Sequence, residues 1–386
     1  MGIKNLRVIL NQKCKLAINT RKLESYRGMT LGIDLSIFLY KYLYNNDDHI
    51  EGLTRFILRL LKNQITPLFI FDGKPPKEKD DVLLDRKEKK QILTDKKNVV
   101  ESMIHLERVS YDDFKNQVDT CMKDLVSGLV INEEELKELF TKNNDELKEE
   151  SYRISKKIIY VTSEHIENSK KLFDLFGIKY IHAPCEAESL LAILCKNNVV
   201  DGCISEDTDV LVNGGHLFLR NFNADKNTID EYCLHGILDG LEMTFEQFID
   251  MCILCGCDYT SKINGMGPIN AYKLIKKHNN LESVLENNTK FIIPENFDYN
   301  KARDLFKNPI TPELYESIDK NVKIKEPNIS EIKIFLKESK LKDKFFKEID
   351  ANLMNYYINI NGVYDYDNKV KSKKITDFFS FTQSNK

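Results

Sequence analysis

The sequence predicts an α/β fold with a central, mostly parallel sheet flanked by helices. Short β-branched or aromatic runs are each followed at once by an acidic residue at 30–33, 68–71 and 200–205, and helical patterns lie between them. This alternation is typical of a parallel sheet. Because ligands bind outside the carboxyl ends of such strands, we expect Asp34, Asp72 and Asp207 to gather in one cleft.

The composition is that of a globular protein and excludes three broad classes. The chain has 386 residues, of which 42% are hydrophobic and 30% charged, so disorder throughout is excluded. No apolar run approaches the roughly 20 residues that a membrane helix needs. Nine cysteines, an odd number, favour free thiols in a reducing compartment over a disulfide framework.

The domain organisation follows from shifts in pattern along the chain. Residues 87–155 have helical composition without a run rich enough for a sheet strand, and the helical pattern dominates from about Met243 onward. Past Asn361 the apolar periodicity is lost, which predicts a flexible tail. We therefore predict a core over 1–350 and a tail over 361–386, with the core divided into 1–86, a helical insertion 87–155, an internal region 156–242 and a helical region 243–350.

Charge is unevenly distributed, although the net charge is only −3. Residues 86–97 hold six basic and two acidic groups, whereas 132–150 hold eight acidic and three basic groups. Residues 262–278 contain four lysines and no acid. A local excess of this kind suits a surface that follows phosphates, whereas the alternative for any charge run is a solvated helix face.

Seven carboxylates stand in short motifs, most of which follow an apolar run. Pointing into one crevice they would repel one another unless cations neutralised them. Hard oxygen ligands suit Mg²⁺ or Mn²⁺, and two such ions roughly 4 Å apart can clamp both oxygens of a phosphodiester displacement. The seven candidates for a two-Mg²⁺ site, with Mn²⁺ as a substitute, are Asp34, Asp72, Glu186, Glu188, Asp207, Asp209 and Asp258.

Six segments together resemble the flap endonucleases of the XPG family of structure-specific 5′ nucleases. In family order from residue 1 to about 280 they are MGIK, IDLSIFLYKYL, FIFDGKPP, APCEAESLLA, SEDTDVL and CILCGCDYTSKINGMGPINAYKLIKKH. The resemblance implies a PIN-like nuclease core with a helical arch. It also implies a metal-dependent nuclease that cuts a single-stranded 5′ flap at its junction with duplex DNA, during replication and repair.

Site roles follow from the resemblance by position. The seven acids match the family's metal-binding acids, and Lys79 and Arg86 match its two basic catalytic groups. Lys79 and Arg86 are seven residues apart, which places both on one face of a helix, where they can stabilise developing negative charge. Tyr40 matches an aromatic that packs on an unpaired or terminal base, although core packing of its helix is the alternative. Gly2, in the first motif, is expected at the DNA.

The segment Gly265-Met266-Gly267-Pro268 predicts a helix start that binds phosphate. Its glycines let backbone approach a phosphate, the proline suits the first turn, and the helix N-terminus offers amide donors. The resemblance implies that this hairpin holds downstream duplex, with a bound monovalent cation. A tight turn without DNA is the alternative. The lysines that follow are Lys273, Lys276 and Lys277.

Two features depart from the family pattern. The distance from Arg86 to Glu186 is 100 residues, which lengthens the arch; we expect basic 86–97 to line its passage and acidic 132–150 to face solvent or shield the opening. The stretch YNNDD at 44–48 lacks the basic residue usual after the stacking tyrosine.

The tail carries a segment similar to the family's sliding-clamp peptide. Ile375, Phe378 and Phe379 fit its apolar anchors, but Ser372 replaces its glutamine. A few buried anchors carry most interface energy, so we expect weak docking on a sliding clamp. The alternative is that the phenylalanines fold back onto the core.

Other functions fit parts of the sequence. Within the family, the chain could be a duplex 5′-3′ exonuclease or a junction or bubble endonuclease. Outside it, an aspartate-nucleophile phosphatase leaves most motifs unexplained, and a non-catalytic DNA-binding scaffold on the clamp would not need all seven acids. A zinc site would use Cys233, His235, Cys252, Cys255 and Cys257, although two of these cysteines fall in an apolar helix.

We expect the protein to be a monomer. We expect it to act in the nucleus if it comes from a eukaryotic cell, or at a cytoplasmic replication site if it is viral.

Overall fold

The computed structural model describes residues 2–45, 48–106, 110–123, 129–337, 341 and 343–366. The chain separates into two compact units. The first, called the sheet unit, comprises Met1–Phe38, Asp48–Pro75 and Ser163–Lys386. The second, called the helical unit, comprises Leu39–Asp47 and Pro76–Thr162.

Seven strands in the described part of the chain form one mixed sheet in the sheet unit. Their order is β1-β7-β6-β5-β2-β3-β4. The pairs β6–β5, β5–β2, β2–β3 and β3–β4 are parallel, whereas β1–β7 and β7–β6 are antiparallel. The strands are β1 Ile18–Lys22, β2 Thr30–Asp34, β3 Thr66–Phe71, β4 Tyr180–His182, β5 Gly202–Ile204, β6 Leu217–Asn223 and β7 Thr228–Cys233.

Burial along the strands explains which of them the sequence predicts. Every residue of β2, β3 and β5 is buried, as expected for central parallel strands covered on both faces. The predicted mostly parallel α/β fold and these three strands are confirmed. Strand β6 mixes buried and exposed positions, β7 alternates buried with half-buried positions, and three residues of the edge strand β1 are exposed. These strands therefore lack the continuous buried run of the others.

Helices cover the sheet and form the rest of the sheet unit. Their main apolar cluster includes Leu190, Leu191, Phe218, Phe248 and Ile253. The helices are α1 Leu6–Lys13, α3 His49–Lys62, α8 Ser163–Phe176, α9 Ala187–Lys196, α10 Asp209–Val212, α11 Leu234–Leu241, α12 Phe245–Cys255, α13 Pro268–His278, α14 Leu281–Glu286, α15 Tyr299–Lys307, α16 Pro312–Glu316, α17 Ile329–Lys337 and α18 Asp343–Tyr366; α2, Leu35–Tyr44, contributes residues to both units.

The helical unit has a core of its own. Its helices are α4 Asp80–Met103, α5 Tyr111–Lys123, α6 Glu133–Thr141 and α7 Asn144–Ser155. A capping box at Asn143 starts α7, with Glu146 as its reciprocal partner. Val100, Phe114, Leu136 and Leu147 are buried in one apolar cluster. In the acidic stretch 132–150 the leucines fill this core, whereas six of the eight acids are exposed.

The end of the described chain extends further as a helix than the sequence predicts. Helix α18 continues to Tyr366, beyond the start of the predicted tail at 361. The physical reason is that apolar residues continue at helical spacing through Tyr357, Ile360 and Val363. No helix in the described ranges is long and apolar enough to cross a membrane.

Candidate active site

Four of the seven predicted acids lie at the carboxyl ends of neighbouring parallel strands or shortly beyond them. Asp34 is the last residue of β2, and Asp72 directly follows β3. Glu186 lies shortly beyond the end of β4, and Asp207 shortly beyond the end of β5. Because β5, β2, β3 and β4 are adjacent in the sheet, their carboxyl ends bring these acids to one edge.

The motifs around Asp72 and Glu186 are joined through backbone. Gly73 donates its N–H to the Cys185 carbonyl at 2.8 Å, and the Ala187 N–H donates to the Asp72 carboxylate at 2.9 Å. A Cβ atom at Gly73 would lie 1.9 Å from the Ala183 carbonyl oxygen. Glycine is therefore required in FDGKPP, because any side chain there would separate the two acid-bearing loops.

A chain of hydrogen bonds fixes the acids that follow β2 and β5. Ser205 Oγ donates to Asp34 Oδ2 at 3.0 Å and accepts from the Asp207 N–H at 3.0 Å. The Asp209 N–H then donates to Asp207 Oδ1 at 3.0 Å. Asp34 Oδ1 is buried and has no hydrogen-bond partner among the described residues. This arrangement leaves a carboxylate oxygen for which a bound cation would be a suitable partner.

Glu188, Asp207 and Asp209 form a compact set of potential metal ligands. Each offers a carboxylate oxygen, and these oxygens all lie within 4.8 Å of one another. Glu188 stands in the first turn of α9, and Asp209 is the first residue of α10. Both helices begin at this end of the sheet, so short helices present the acids that the strands do not carry.

The motif that carries Asp258 is linked to Glu186 by a hydrogen bond. Tyr259 Oη donates to Glu186 Oε2 at 2.7 Å, so the GCDY motif orients an acid from a different motif. Six of the seven acids are less than 8% exposed, whereas Asp72 is exposed. The six buried acids are Asp34, Glu186, Glu188, Asp207, Asp209 and Asp258.

The electrostatics of this group favour a divalent cation. Burial, with the nearby charges of Asp72 and Asp207, raises the pKa of Asp34 to about 8. Burial and the charges of Glu186 and Asp209 likewise raise the pKa of Tyr259 above its ordinary value. Several carboxylates in one low-dielectric place destabilise each other's ionised forms, and a bound cation reverses that effect. The all-oxygen donor set fits Mg²⁺ or Mn²⁺.

The first residues of the chain lie directly against the acids. The Ile3 N–H donates to Thr208 Oγ1 at 3.0 Å, between the two acids of the DxD motif. A Cβ at Gly2 would lie 2.1 Å from Asp207 Oδ1 and 2.6 Å from Asp209 Oδ1, and its φ of +76° also favours glycine. The structure thus places Gly2, expected at the DNA, beside the carboxylates.

The predicted hairpin is present and its two glycines differ. Pro268 is the first residue of α13, as expected. Gly265 has a φ of +76°, which a tight turn explains. Gly267 has an extended backbone, and a Cβ there would meet no atom within 4 Å, so contacts within the chain do not require glycine. Lys273 and Lys277 are exposed, whereas Lys276 donates to Glu242 at 3.0 Å.

Three predicted site residues belong to the helical unit. Lys79 is buried and directly precedes α4, and Arg86 lies within α4. Tyr40, in α2, is 43% exposed, so core packing does not account for it. These residues share one unit, whereas the seven acids share the other.

The described residues give no support to a zinc site and do not include the predicted clamp-binding peptide. Cys252 and Cys255 are buried in α12, and the group of three or more potential ligands found in the described ranges contains carboxylates and no cysteine. The zinc interpretation therefore gains no support. Ile375, Phe378 and Phe379 lie outside the described residues, as does Ser372.

Sequence reasoning missed the residues that orient the acids. Ser205, Thr208 and Tyr259 each touch an acid or its motif, yet none was predicted. The available signal was their position, since each lies within two residues of a predicted acid. A hydroxyl next to a buried carboxylate is a candidate hydrogen-bond donor.

Comparisons with known proteins agree with this geometry. The XPG N-terminal domain model matches residues 1–92, and the XPG I-region model matches residues 177–258. Flap endonuclease 1-A of Sorghum bicolor is 34% identical, over 80% of this chain and 76% of its own length. Flap endonuclease 1 of Tetrahymena thermophila is 30% identical, over 98% of this chain and 92% of its own length.

Solved structures support the fold. The catalytic core of Rad2 in complex with DNA substrate has a TM-score of 0.64 at 23% identity, covering 91% of this chain and all of that one. Flap endonuclease-1 from Methanococcus jannaschii has a TM-score of 0.57 at 24% identity, covering 89% and 96%. With the acidic site and the sequence relatives, these findings show that the chain belongs to the flap endonucleases of the XPG family.

Proposed function

We infer that this protein is a structure-specific 5′ flap endonuclease that cuts DNA where a single strand meets duplex, in replication and repair. The observation that carries the inference is the gathering of motif acids where neighbouring parallel strands end, with carboxylate oxygens of Glu188, Asp207 and Asp209 within 4.8 Å of one another. The sequence relatives are themselves named flap endonucleases. Such a group of carboxylates suits the metal-assisted hydrolysis of a phosphodiester.

We propose that two Mg²⁺ ions, replaceable by Mn²⁺, are the cofactors, held by the seven acids. Bound there, they would supply a Lewis acid and lower the pKa of a bound water. The chain's own residues prepare the site: Ser205 and Tyr259 fix the orientation of Asp34 and Glu186. Lys79 and Arg86 are proposed to stabilise the negative charge that develops on the scissile phosphate.

Duplex binding is assigned to the start of α13. Its N-cap is Gly267, without a side-chain cap, so its first amide groups are available to a phosphate. The open space around Gly267 supports this role, because the chain itself does not need glycine there. Lys273 and Lys277 add exposed positive charge, and the monovalent cation implied by the family is proposed for this hairpin.

Three further expectations stay proposals. The peptide with Ile375, Phe378 and Phe379 is proposed to dock weakly on a sliding clamp, which would raise the local concentration of the enzyme at nicks. We propose a monomer, acting in the nucleus of a eukaryotic cell or at a cytoplasmic replication site of a virus. Titrating a peptide of residues 368–386, with and without Phe378→Ala and Phe379→Ala, against the clamp from the same source tests the docking.

Substrate choice tests the proposed function. The protein is incubated with labelled single-flap, double-flap, nicked and Holliday-junction DNAs, with Mg²⁺ and with EDTA. We expect Mg²⁺-dependent cutting at the flap junction to exceed cutting of the other DNAs. Preferential cutting of nicked duplex or of the junction would favour the exonuclease or resolvase alternative, and binding without any cutting would favour the scaffold.

A further inference from the structure

Two exposed tyrosines from separate segments of the helical unit meet at one ammonium group. Lys90, on α4, places Nζ 5.3 Å from the ring centroid of Tyr40 and 4.7 Å from that of Tyr160. The same Nζ donates to the Ile159 carbonyl at 2.9 Å. The three contacts fix the lysine, and cation–π attraction holds each ring beside it.

Both rings keep much of their surface open. Tyr40 is 43% exposed and Tyr160 is 54% exposed. Single exposed aromatics are ordinary on a protein surface. A pair that a shared lysine holds together is different, because the rings have less freedom to lose when a flat ligand stacks on them.

The surrounding charge indicates the class of ligand. Lys90 belongs to the stretch 86–97, which has six basic and two acidic residues. Positive charge beside exposed aromatic rings is the usual surface for single-stranded nucleic acid, in which bases stack on the rings and the backbone follows the charge. Tyr160 was not among the residues predicted from sequence, because its position beside Lys90, which also contacts Tyr40, arises only through folding.

We propose that Tyr160 joins Tyr40, with Lys90 against both rings, in a stacking site for an unpaired base of the single-stranded flap. The proposal rests on the flap endonuclease function inferred above and assigns Tyr160 a positioning role in it. Tyr160 holds the single strand through a base face, so its contribution is independent of base identity and of phosphate charge.

The test uses full-length protein carrying Asp209→Asn, so that binding is measured without cleavage. A 5′-flap DNA carries 2-aminopurine at successive flap positions, and fluorescence reports both affinity and stacking. Adding Tyr160→Ala should weaken binding about tenfold and remove the fluorescence quenching at one flap position. Tyr160→Phe, which keeps the ring, should stay within twofold of the parent protein.

Two controls separate stacking from other causes. Tyr152, on α7, is also exposed and has its own lysine contact, from Lys156 at 4.8 Å, so Tyr152→Ala should bind like the parent. The slope of log Kd against log salt should not change for Tyr160→Ala, because no phosphate contact is lost. A slope reduced by about one would instead identify a phosphate contact and overturn the proposal.

An abasic nucleotide gives the decisive comparison. Removing the base at the stacked position should weaken binding by the parent protein more than it weakens binding by Tyr160→Ala, which keeps only Tyr40 as a stacking partner. Fully additive effects, or equal affinity of Tyr160→Ala and the parent, would overturn the stacking site while leaving the flap endonuclease function intact. If the parent binds flap DNA no more tightly than blunt duplex, the proposed function and this inference both fail.

Discussion

The two acid-rich regions of this protein use the same residue types in opposite ways. The seven site acids lie at strand and helix ends, and six of them are buried. Of the eight acids in 132–150, six are exposed and the rest half-buried, and several pair with a lysine or arginine of their own helix. The difference indicates that an acid's place relative to the sheet, and not local acid density, distinguishes a candidate metal site from a solvated helix face.

The largest expected effect comes from the site. Asp209→Asn keeps the side chain's shape but removes a charge from a fully buried position. We expect cleavage of a 5′ flap to fall on the order of a thousandfold, because the lost interaction serves the transition state. Flap affinity should change by less than threefold, because duplex binding is proposed for α13, which does not carry the acids. Single-turnover cleavage and fluorescence anisotropy measure the two, and cleavage within tenfold of wild type would contradict the account.

A buried acid with an arginine partner sharpens the comparison. Asp250, on α12, accepts from Arg303 Nε at 2.8 Å and from the Leu281 N–H at 3.0 Å. Arg303→Met leaves this buried carboxylate without its cation, so we expect a loss of about 3 kcal/mol in the free energy of unfolding. Urea denaturation measures it, and adding Asp250→Asn should recover part of the loss. A change below about 1 kcal/mol would show that the pair is effectively solvated.

The hydroxyl that orients Glu186 should have an intermediate effect. Tyr259→Phe removes the 2.7 Å hydrogen bond and keeps the ring packed against Phe306. We expect the Mg²⁺ concentration for half-maximal cleavage to rise roughly 10–100-fold, as for other residues that orient metal ligands. Cleavage at saturating Mg²⁺ should recover most of its rate. An unchanged Mg²⁺ requirement would remove Tyr259 from the site.

The smallest effect is expected in the helical unit. Glu149 pairs with Arg153 at 2.9 Å, and both side chains are more than 60% exposed. Glu149→Gln should change the free energy of unfolding by less than about 0.5 kcal/mol and leave nick-site cleavage unaltered. Deleting residues 132–150 would not isolate the effect of the surface acids, because it would also remove Leu136 and Leu147, which are buried in the core of the helical unit. A loss above about 1 kcal/mol in the free energy of unfolding would mean that these surface acids stabilise the fold.

Much of the sheet and the acid group could be predicted because both follow from local sequence. Strands β2 and β3 are apolar runs with acids at their ends, so their burial and the site they carry come from one pattern. The strands β6 and β7 could not be identified in this way, because their burial is interrupted by half-buried and exposed residues and depends on pairing with each other.

Contacts between distant segments were also beyond sequence reasoning. Tyr259 meets Glu186 across 73 residues, and Thr208 meets Ile3 across 205. Neither spacing has a periodic signature, since folding alone determines it. The same holds for the pairing of Lys96 with Glu135, which joins a residue of the basic stretch 86–97 to a residue of the acidic stretch 132–150.

The buried carboxylates at the sheet edge are proposed to form a divalent-metal site. Counting Mn²⁺ bound per chain by electron paramagnetic resonance tests it most directly, with Glu149→Gln as a matched control for acid loss. We expect about two ions on the wild type and on Glu149→Gln, and fewer, more weakly held ions on Asp209→Asn. Wild-type protein that binds no Mn²⁺, or Asp209→Asn that binds it as the wild type does, would contradict the account.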